Sequence, residues 1–422
     1  MGRVLATLQT GDWLTRERIR LVAGAVLFAS LAGICYLIAT SDGLNDYTGR
    51  PLGTDFSNVY AAGQLVLEGN PAAPYDPGQH RERERAIFGE TTPFYGWLYP
   101  PFFLFVAAAL ALMPYPLALA AWQGMSLLLY LLSIRAILRA SVPPGRARTE
   151  QDASDKLWLL LAVSFPAVFV NIGHGHNGFL TAALLGAALV LLDRRPMVAG
   201  ILLGLLAYKP QFGLMIPLVL AVSGRWRTMA LAAATVGALA IATLLAFGLD
   251  AWTSFLGSAQ FTRVIVLEQG GPGWHKMQSV FSWVRMWGGA VPLAYASQGA
   301  ITLALAAGLA WLWRSHCAFA LQAAALALAA LLATPYSLDY DMMVLAPAIG
   351  FLVANGLAHG FAPYEKTALA ALWLVPLITR AVAQATLIPL GPIAMGATFA
   401  LLLGQASREC GASSQGSPLA AR

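Results

Sequence analysis

The sequence predicts an all-α, polytopic integral membrane protein, and two observations carry that prediction. Hydrophobic residues make up 58% of the 422 residues and charged residues only 11%, where a soluble domain carries about 25% charged residues. Apolar stretches of spanning length, roughly 17–25 residues, then recur from end to end. They cover residues 21–40, 117–138, 229–248, 296–313, 317–333 and 367–385. A transmembrane barrel would instead show alternating segments of about ten residues. Each crossing is expected to be helical, because lipid leaves no backbone group unpaired.

Taken in order, residues 1–20 form a basic, cytoplasmic N-terminus. The first apolar run is longer than a signal-peptide core and lacks a small-residue cleavage site, so it reads as a retained helix. Basic residues gather at 16–20, 135–156, 193–195, 225–227, Arg314 and Lys366, which the positive-inside rule places in the cytoplasm. The outer loops are then 42–97, 171–177, 208–211, 249–279 and 334–341. One run disagrees: Arg81-Glu82-Arg83-Glu84-Arg85 falls outside, in a long loop where its signs alternate. Crossings between opposite sides total about twelve. Two places strain that count, because Met113-Pro114-Tyr115-Pro116 divides residues 98–138 and Lys209-Pro210 divides two short apolar segments. Residues 100–112 are expected to be re-entrant or interfacial, and the second pair a tilted hairpin.

No internal repeat is visible, which argues against transporters built from duplicated halves. Residues 21–406 read as a single transmembrane domain capped by loops 42–97 and 249–279, and residues 407–422 as a disordered tail. Cys35, Cys317 and Cys410 form neither a disulfide framework nor a zinc pattern. The net charge of +6 lies mostly in short loops, so it reports topology rather than nucleic-acid binding.

The outer loops hold most of the unusual polar residues, which points to function on that face. Phe56, Val59, Tyr60, Gly63 and Leu67 follow helical spacing, and predict an amphipathic helix lying in the interface with Asp55 at its N-cap. Asp55 is as readily a cap as a catalyst on that feature alone. Lys209 is the one charge between two apolar segments, and a lysine at membrane depth marks function by default, with snorkelling as the alternative. His174-Gly175-His176-Asn177 is a plain polar turn or a binding segment. His-x-His without a fixed carboxylate is weak evidence for a metal, and none is expected. Asp339-Tyr340-Asp341 follows Pro335 at a helix start, where acids favour the positive dipole end.

Asp55 with Val59-Tyr60, Gly69-Asn70-Pro71 and Pro74-Tyr75, then Leu98-Tyr99-Pro100-Pro101 and Met113-Pro114, resembles glycosyltransferase family 87. These are polyprenol-phosphate-sugar-dependent, mannosyltransferase-like enzymes of the GT-C superfamily. The resemblance continues in Gly200-Ile201-Leu202-Leu203-Gly204, Lys209-Pro210-Gln211, Gln278-Ser279 and Thr334-Pro335-Tyr336-Ser337-Leu338-Asp339-Tyr340-Asp341. It implies a GT-C-type helical bundle of about twelve spans with interfacial helices in the first outer loop. It implies a base at the first-loop acid, here Asp55. Where the family shows a Gly-Gln-x-Asn-like segment, a histidine replaces the glutamine in His174–Asn177.

Chemistry agrees with the resemblance. A sugar hydroxyl is a weak nucleophile, and a carboxylate within hydrogen-bond reach can take its proton as the glycosidic bond forms. The donor carries an activated lipid-phosphate leaving group, so direct attack with inversion is expected. The departing phosphate needs cations, for which Lys209, Arg263, His275 and Lys276 are the candidates. Asn58, Tyr60, Tyr99, His176, Asn177, Gln278, Tyr336, Asp339 and Asp341 are candidates for sugar and acceptor hydroxyls. No cofactor is expected, and the implied partners are the bilayer, a polyprenyl-phosphate-linked sugar (mannose by default) and a glycolipid or glycan acceptor. The implied location is a bacterial inner membrane with the site on its periplasmic face. Two alternatives remain open: a transporter or flippase of lipid-linked sugars, and a polysaccharide polymerase or ligase.

Overall fold

The computed structural model describes residues 2–140 and 148–415, which form helices joined by turns, with isolated β-bridges and no sheet. The chain is an all-α polytopic membrane protein. A short α1 (Gly2–Thr10) precedes α2 (Arg16–Ala39), whose N-terminus is capped by the Thr15 hydroxyl accepting from the Arg18 N–H. Only Ala23 of α2 is buried, as befits a helix whose apolar surface faces lipid.

The 42–97 segment, expected to be the first outer loop, folds into α3 (Phe56–Leu67) and α4 (Pro77–Phe88). The expected interfacial α3 is instead buried on all sides, from Phe56 to Gly63 and again at Leu65. Its small residues are the reason: a Cβ on Gly63 would lie 2.1 Å from the Ala107 carbonyl, so α5 (Leu104–Ala111) packs directly on its backbone. Helix α4 packs against α3 as well and presents the polar face that α3 lacks.

Next come α6 (Tyr115–Ala140), α7 (Arg148–Val163) and α8 (Pro166–His174), the last two meeting at a 45° bend. The short helices α9 (Gly178–Leu191), α10 (Pro196–Leu205) and α11 (Ile216–Val222) follow. Helix α12 (Trp226–Phe261) breaks at Gly248, where φ is 76°, and runs on as a π-helix to Glu268. The expected 249–279 loop is therefore largely helical. The chain finishes with α13 (Val280–Met286), α14 (Val291–Arg314), α15 (Phe319–Leu332), α16 (Leu345–His359), α17 (Glu365–Thr386) and α18 (Leu390–Gln415).

Among the described residues, seven helices are long and apolar enough to cross a membrane, or eight if the bent pair is one span. Five more apolar helices have only 10–17 residues, and at 1.5 Å per residue these fall short of a core about 30 Å thick. The sequence-based count of about twelve treats several of these short pieces as crossings.

The core centres on α15 and α16. Residues 321–332 are all buried, because an Ala- and Leu-rich helix without a polar face has no side to show to water. Helices α10 and α12 meet at Gly200 and Gly204, where a Cβ would come within 2.7 Å of the Thr228 carbonyl and 2.8 Å of the Ala232 carbonyl. That is a close small-xxx-small contact.

At one end of the bundle, α1 is tied to the start of α17, with the Tyr364 N–H donating to the Gln9 carbonyl at 2.9 Å. Helix α18 continues past Ser407, where disorder was expected. Ala406 is buried there, and Glu409 accepts from the Ala318 N–H at 3.2 Å. Met1, residues 416–422 and residues 141–147, a part of the basic 135–156 stretch, lie outside the described residues.

Candidate functional site

The outer loops identified from charge topology converge at one end of the bundle. Met277 and Leu338 form an antiparallel bridge, and the Gln278 N–H donates to the Ser337 carbonyl at 2.6 Å. That contact joins the 274–279 segment to the 336–341 turn. Lys209 reaches the same turn through Asp341. The His174–Asn177 turn joins it as well, because the His176 ring stacks on Tyr340 with centroids 3.6 Å apart.

Asp55 occupies the N-cap position of α3, yet its side chain makes no capping hydrogen bond. The carboxylate is thus left for other partners, and its side chain is 20% exposed. Its backbone N–H donates to the His174 carbonyl at 2.9 Å, and its Oδ1 lies 3.8 Å from His174 Nδ1. Thr54 Oγ1 shares a 2.8 Å hydrogen bond with the same nitrogen. Burial raises the Asp55 carboxyl above the ordinary carboxylate range. His174 counters this, Asp339 adds to it, and Lys276 and Lys209 counter it further. These charges therefore form one electrostatic group.

The turn beside Asp55 owes its shape to Gly175, at φ 60° and ψ 23° after the end of α8. A Cβ there would meet Phe56 Cβ at 2.6 Å, so glycine suits both the left-handed backbone and the close approach. Gln123 accepts from Asn171 and donates to the His176 carbonyl, fixing the turn from below. His176 Nε2 and Asn177 Nδ2 both meet the Tyr99 hydroxyl, at 3.2 and 2.9 Å. His176 Nδ1 and Asn177 Oδ1 remain buried without a partner.

The candidate cations separate into three settings. Lys209 Nζ is 2.5 Å from Asp341 Oδ1, both side chains being at most 4% exposed, with the Phe212 and Tyr340 rings about it. Asp341 Oδ2 also accepts from the Leu338 N–H. His275 and Lys276 lie half-buried in the 274–279 segment. Burial and then the neighbouring Arg380 push the Lys276 ammonium below its usual range. Arg263 stands apart, 62% exposed and 3.5 Å from Glu268.

Arg380 is the residue that sequence reasoning missed. It sits on α17, 41% exposed, with Nη1 3.4 Å from Asp339 Oδ2. Thr379 beside it donates to Gln278 Oε1 at 2.9 Å, tying α17 to the 274–279 segment. Its signal was available: it is the one charge inside the apolar 367–385 run, and ionisable residues in such runs mark function by default.

Of the other candidates, Asn58 and Tyr60 are buried on α3, and the Tyr60 hydroxyl donates to the Met113 carbonyl. Tyr60 is thereby committed to packing the loop. Tyr336 stands in the turn next to Tyr340, within electrostatic range of Asp55. The structure thus brings together Asp55, His174, His176, Asn177, Tyr99, Lys209, His275, Lys276, Gln278, Tyr336, Asp339, Asp341 and Arg380.

Such an arrangement gathers a part-open carboxylate, part-exposed cations and the Tyr99, Tyr336 and Tyr340 side chains. It can accept a proton from a hydroxyl on one side and bind an anion on the other. The family model for glycosyltransferase family 87 matches residues 97–335, more than half of the chain. No curated protein and no solved structure matches. The matched stretch includes Tyr99, His176, Lys209, Lys276 and Gln278, whereas Asp55, Asp339 and Arg380 lie outside it. On that match the chain belongs to glycosyltransferase family 87, and with helices built to cross a bilayer it is a membrane glycosyltransferase.

Proposed function

We propose that this end of the molecule moves a hexose, mannose by family resemblance, from a polyprenyl-phosphate carrier to a hydroxyl of a lipid or glycan acceptor. The reaction takes place on the periplasmic face of a bacterial inner membrane. The acceptor oxygen attacks the anomeric carbon as the bond to the carrier phosphate breaks, inverting the centre. Its proton passes to Asp55, and the bond's electron pair leaves with the polyprenyl phosphate. Lys276 and Arg380 are the cations for that phosphate, because both keep part of their surface open. They supply the positive charge that a divalent ion would otherwise bring, so the scheme needs no metal. Lys209 instead neutralises Asp341, holding the 336–341 turn in place.

The observation that supports Asp55 as base is its uncapped, part-open carboxylate with a raised proton affinity. A general base works best when its affinity lies near the working pH. The test is transfer from labelled polyprenyl-phosphate mannose to membrane lipid acceptors by purified protein, wild type beside Asp55→Asn. Loss of general-base catalysis costs about 10²–10⁴-fold in rate. Equal transfer by both proteins would remove Asp55 from the mechanism.

A further inference from the structure

We infer that His174 is the positioning partner of Asp55, holding the carboxylate in place and receiving the proton that Asp55 takes from the acceptor. The inference rests on Asp55 being the base. It deepens that reading by adding an imidazole that touches no substrate.

Asp55 meets His174 twice. The backbone bond at 2.9 Å fixes where the residue sits, and the imidazole stands 3.8 Å from its carboxylate, within ion-pair reach but beyond hydrogen-bond distance. The ring cannot drift far, because Nδ1 is held by Thr54 at 2.8 Å and the Tyr340 ring stands edge-on at 5.6 Å. At 24% exposure the imidazole still meets solvent. The neighbouring His176 is different, buried against Tyr340 with its proton affinity pushed well down by burial.

The groups facing this pair come from several elements, and Glu84, Tyr95, Tyr99 and Tyr336 also interact electrostatically with Asp55. Thr54 and Asp55 belong to the first outer loop, Tyr340 to the 336–341 turn and His176 to the same turn as His174. Asp339, Lys276 and Lys209 act on Asp55 from farther off. Of the groups acting on Asp55, His174 is the one imidazole.

The step balances simply. The acceptor O–H bond breaks and its electron pair forms the new bond to the anomeric carbon, while the old C–O pair leaves with the phosphate. The proton goes to Asp55 Oδ1, on to Nδ1 of neutral His174 once the Thr54 hydroxyl turns aside and the 3.8 Å gap closes to a hydrogen bond, and then to water. Asp55 returns to its carboxylate form for the next turnover.

The test is a pH titration by NMR of the full-length protein in nanodiscs with ¹⁵N-labelled histidine, the His174 signal identified by its loss in His174→Gln. Removing the carboxylate in Asp55→Asn should lower the His174 midpoint by at least about half a pH unit, since an adjacent anion favours the imidazolium. A midpoint that stays put overturns the pairing, whether or not Asp55 is the base. Transfer assays supply the second arm. Coupled groups titrate as a pair and bind their first proton more readily than either alone. The acid limb of kcat/KM in His174→Gln should therefore move to lower pH and change from a two-proton to a one-proton slope. A limb of unchanged position and slope, with only the yield of folded protein reduced, would make His174 structural. Full transfer by Asp55→Asn with a shifted His174 midpoint would refute the base and leave the pairing intact.

Discussion

Two imidazole–carboxylate pairs in this protein have the same separation and differ in their access to water. His174 Nδ1 lies 3.8 Å from Asp55 Oδ1, and His80 Nε2 lies 3.8 Å from Glu84 Oε1. The first pair has side chains 24% and 20% exposed, the second 0% and 1%. Burial brings the sealed pair to its neutral form, pushing Glu84 up to about 8 and His80 down to about 4. Glu84 Oε2 accepts the Tyr95 N–H at 3.1 Å, while Glu84 Oε1 and both His80 nitrogens are buried without a well-aligned hydrogen bond. The open pair sits instead among charges of both signs and can pass a proton to solvent. Distance alone does not make a proton-handling pair, and exposure is what separates the proposed dyad from the packed one.

That contrast breaks most visibly in activity. Asp55→Asn should reduce transfer by about 10²–10⁴-fold, while Glu84→Gln, which keeps an acceptor for the Tyr95 N–H, should stay within about threefold, as expected of a residue outside the chemistry. Comparable losses would mean that the sealed pair also reaches the reaction.

The same division separates two cation–carboxylate pairs on one turn. Lys209–Asp341 is closed, and Arg380–Asp339 is open on the arginine side. Lys209→Met strands a buried carboxylate, so it should cost about 3–5 kcal/mol of stability, read as a lower midpoint in denaturant titration of the detergent-solubilised protein. Arg380→Gln leaves Asp339 with its Tyr340 N–H bond and should melt near wild type. Its loss should appear as a donor KM raised about tenfold, the size expected for one charge-assisted contact of about 1.4 kcal/mol. A large destabilisation by Arg380→Gln with donor KM unchanged would make that arginine a structural partner like Lys209.

Much of the functional end was legible in the sequence because its polar residues lie in loops between apolar runs. Charge asymmetry alone grouped Asp55, His174, Lys209, Lys276 and Asp339 on one face, and in the fold their loops contact one another. What pairs with what was not legible: the Lys209–Asp341 contact spans 132 positions and leaves no local signature. Arg380 was absorbed into an apolar run whose overall hydropathy outweighed its single charge. Arg81-Glu82-Arg83-Glu84-Arg85 enters the sequence reading only as a charge run that disagrees with the topology, yet His80, Glu84 and Phe88 recur every four residues and are buried together on α4. Helix α3 reads as amphipathic from the spacing of Phe56, Val59, Tyr60, Gly63 and Leu67, but the small residues between and among them, Ala61, Ala62 and Gly63, allow α5 to bury it.

The smallest effect follows from Glu84 itself. Its folded proton affinity is raised from an ordinary 4.5 to about 8, so the folded state holds its proton more tightly than the unfolded chain. The associated stability is complete below about pH 4.5 and is lost as pH rises toward 8. His80 works in the opposite direction: its affinity falls from 6.5 to about 4, so its contribution is lost as pH drops through that window. Glutamine at position 84 has no proton to lose, and Glu84→Gln should gain on wild type between pH 5 and 8, then hold its advantage above. The gain should be on the order of 1 kcal/mol after relaxation of the buried site, measured as the difference in denaturation midpoint across that range. A gain equal at pH 5 and pH 8 would show that Glu84 stays ionised in the fold. The two 3.8 Å pairs would then differ in solvent access but no longer in charge.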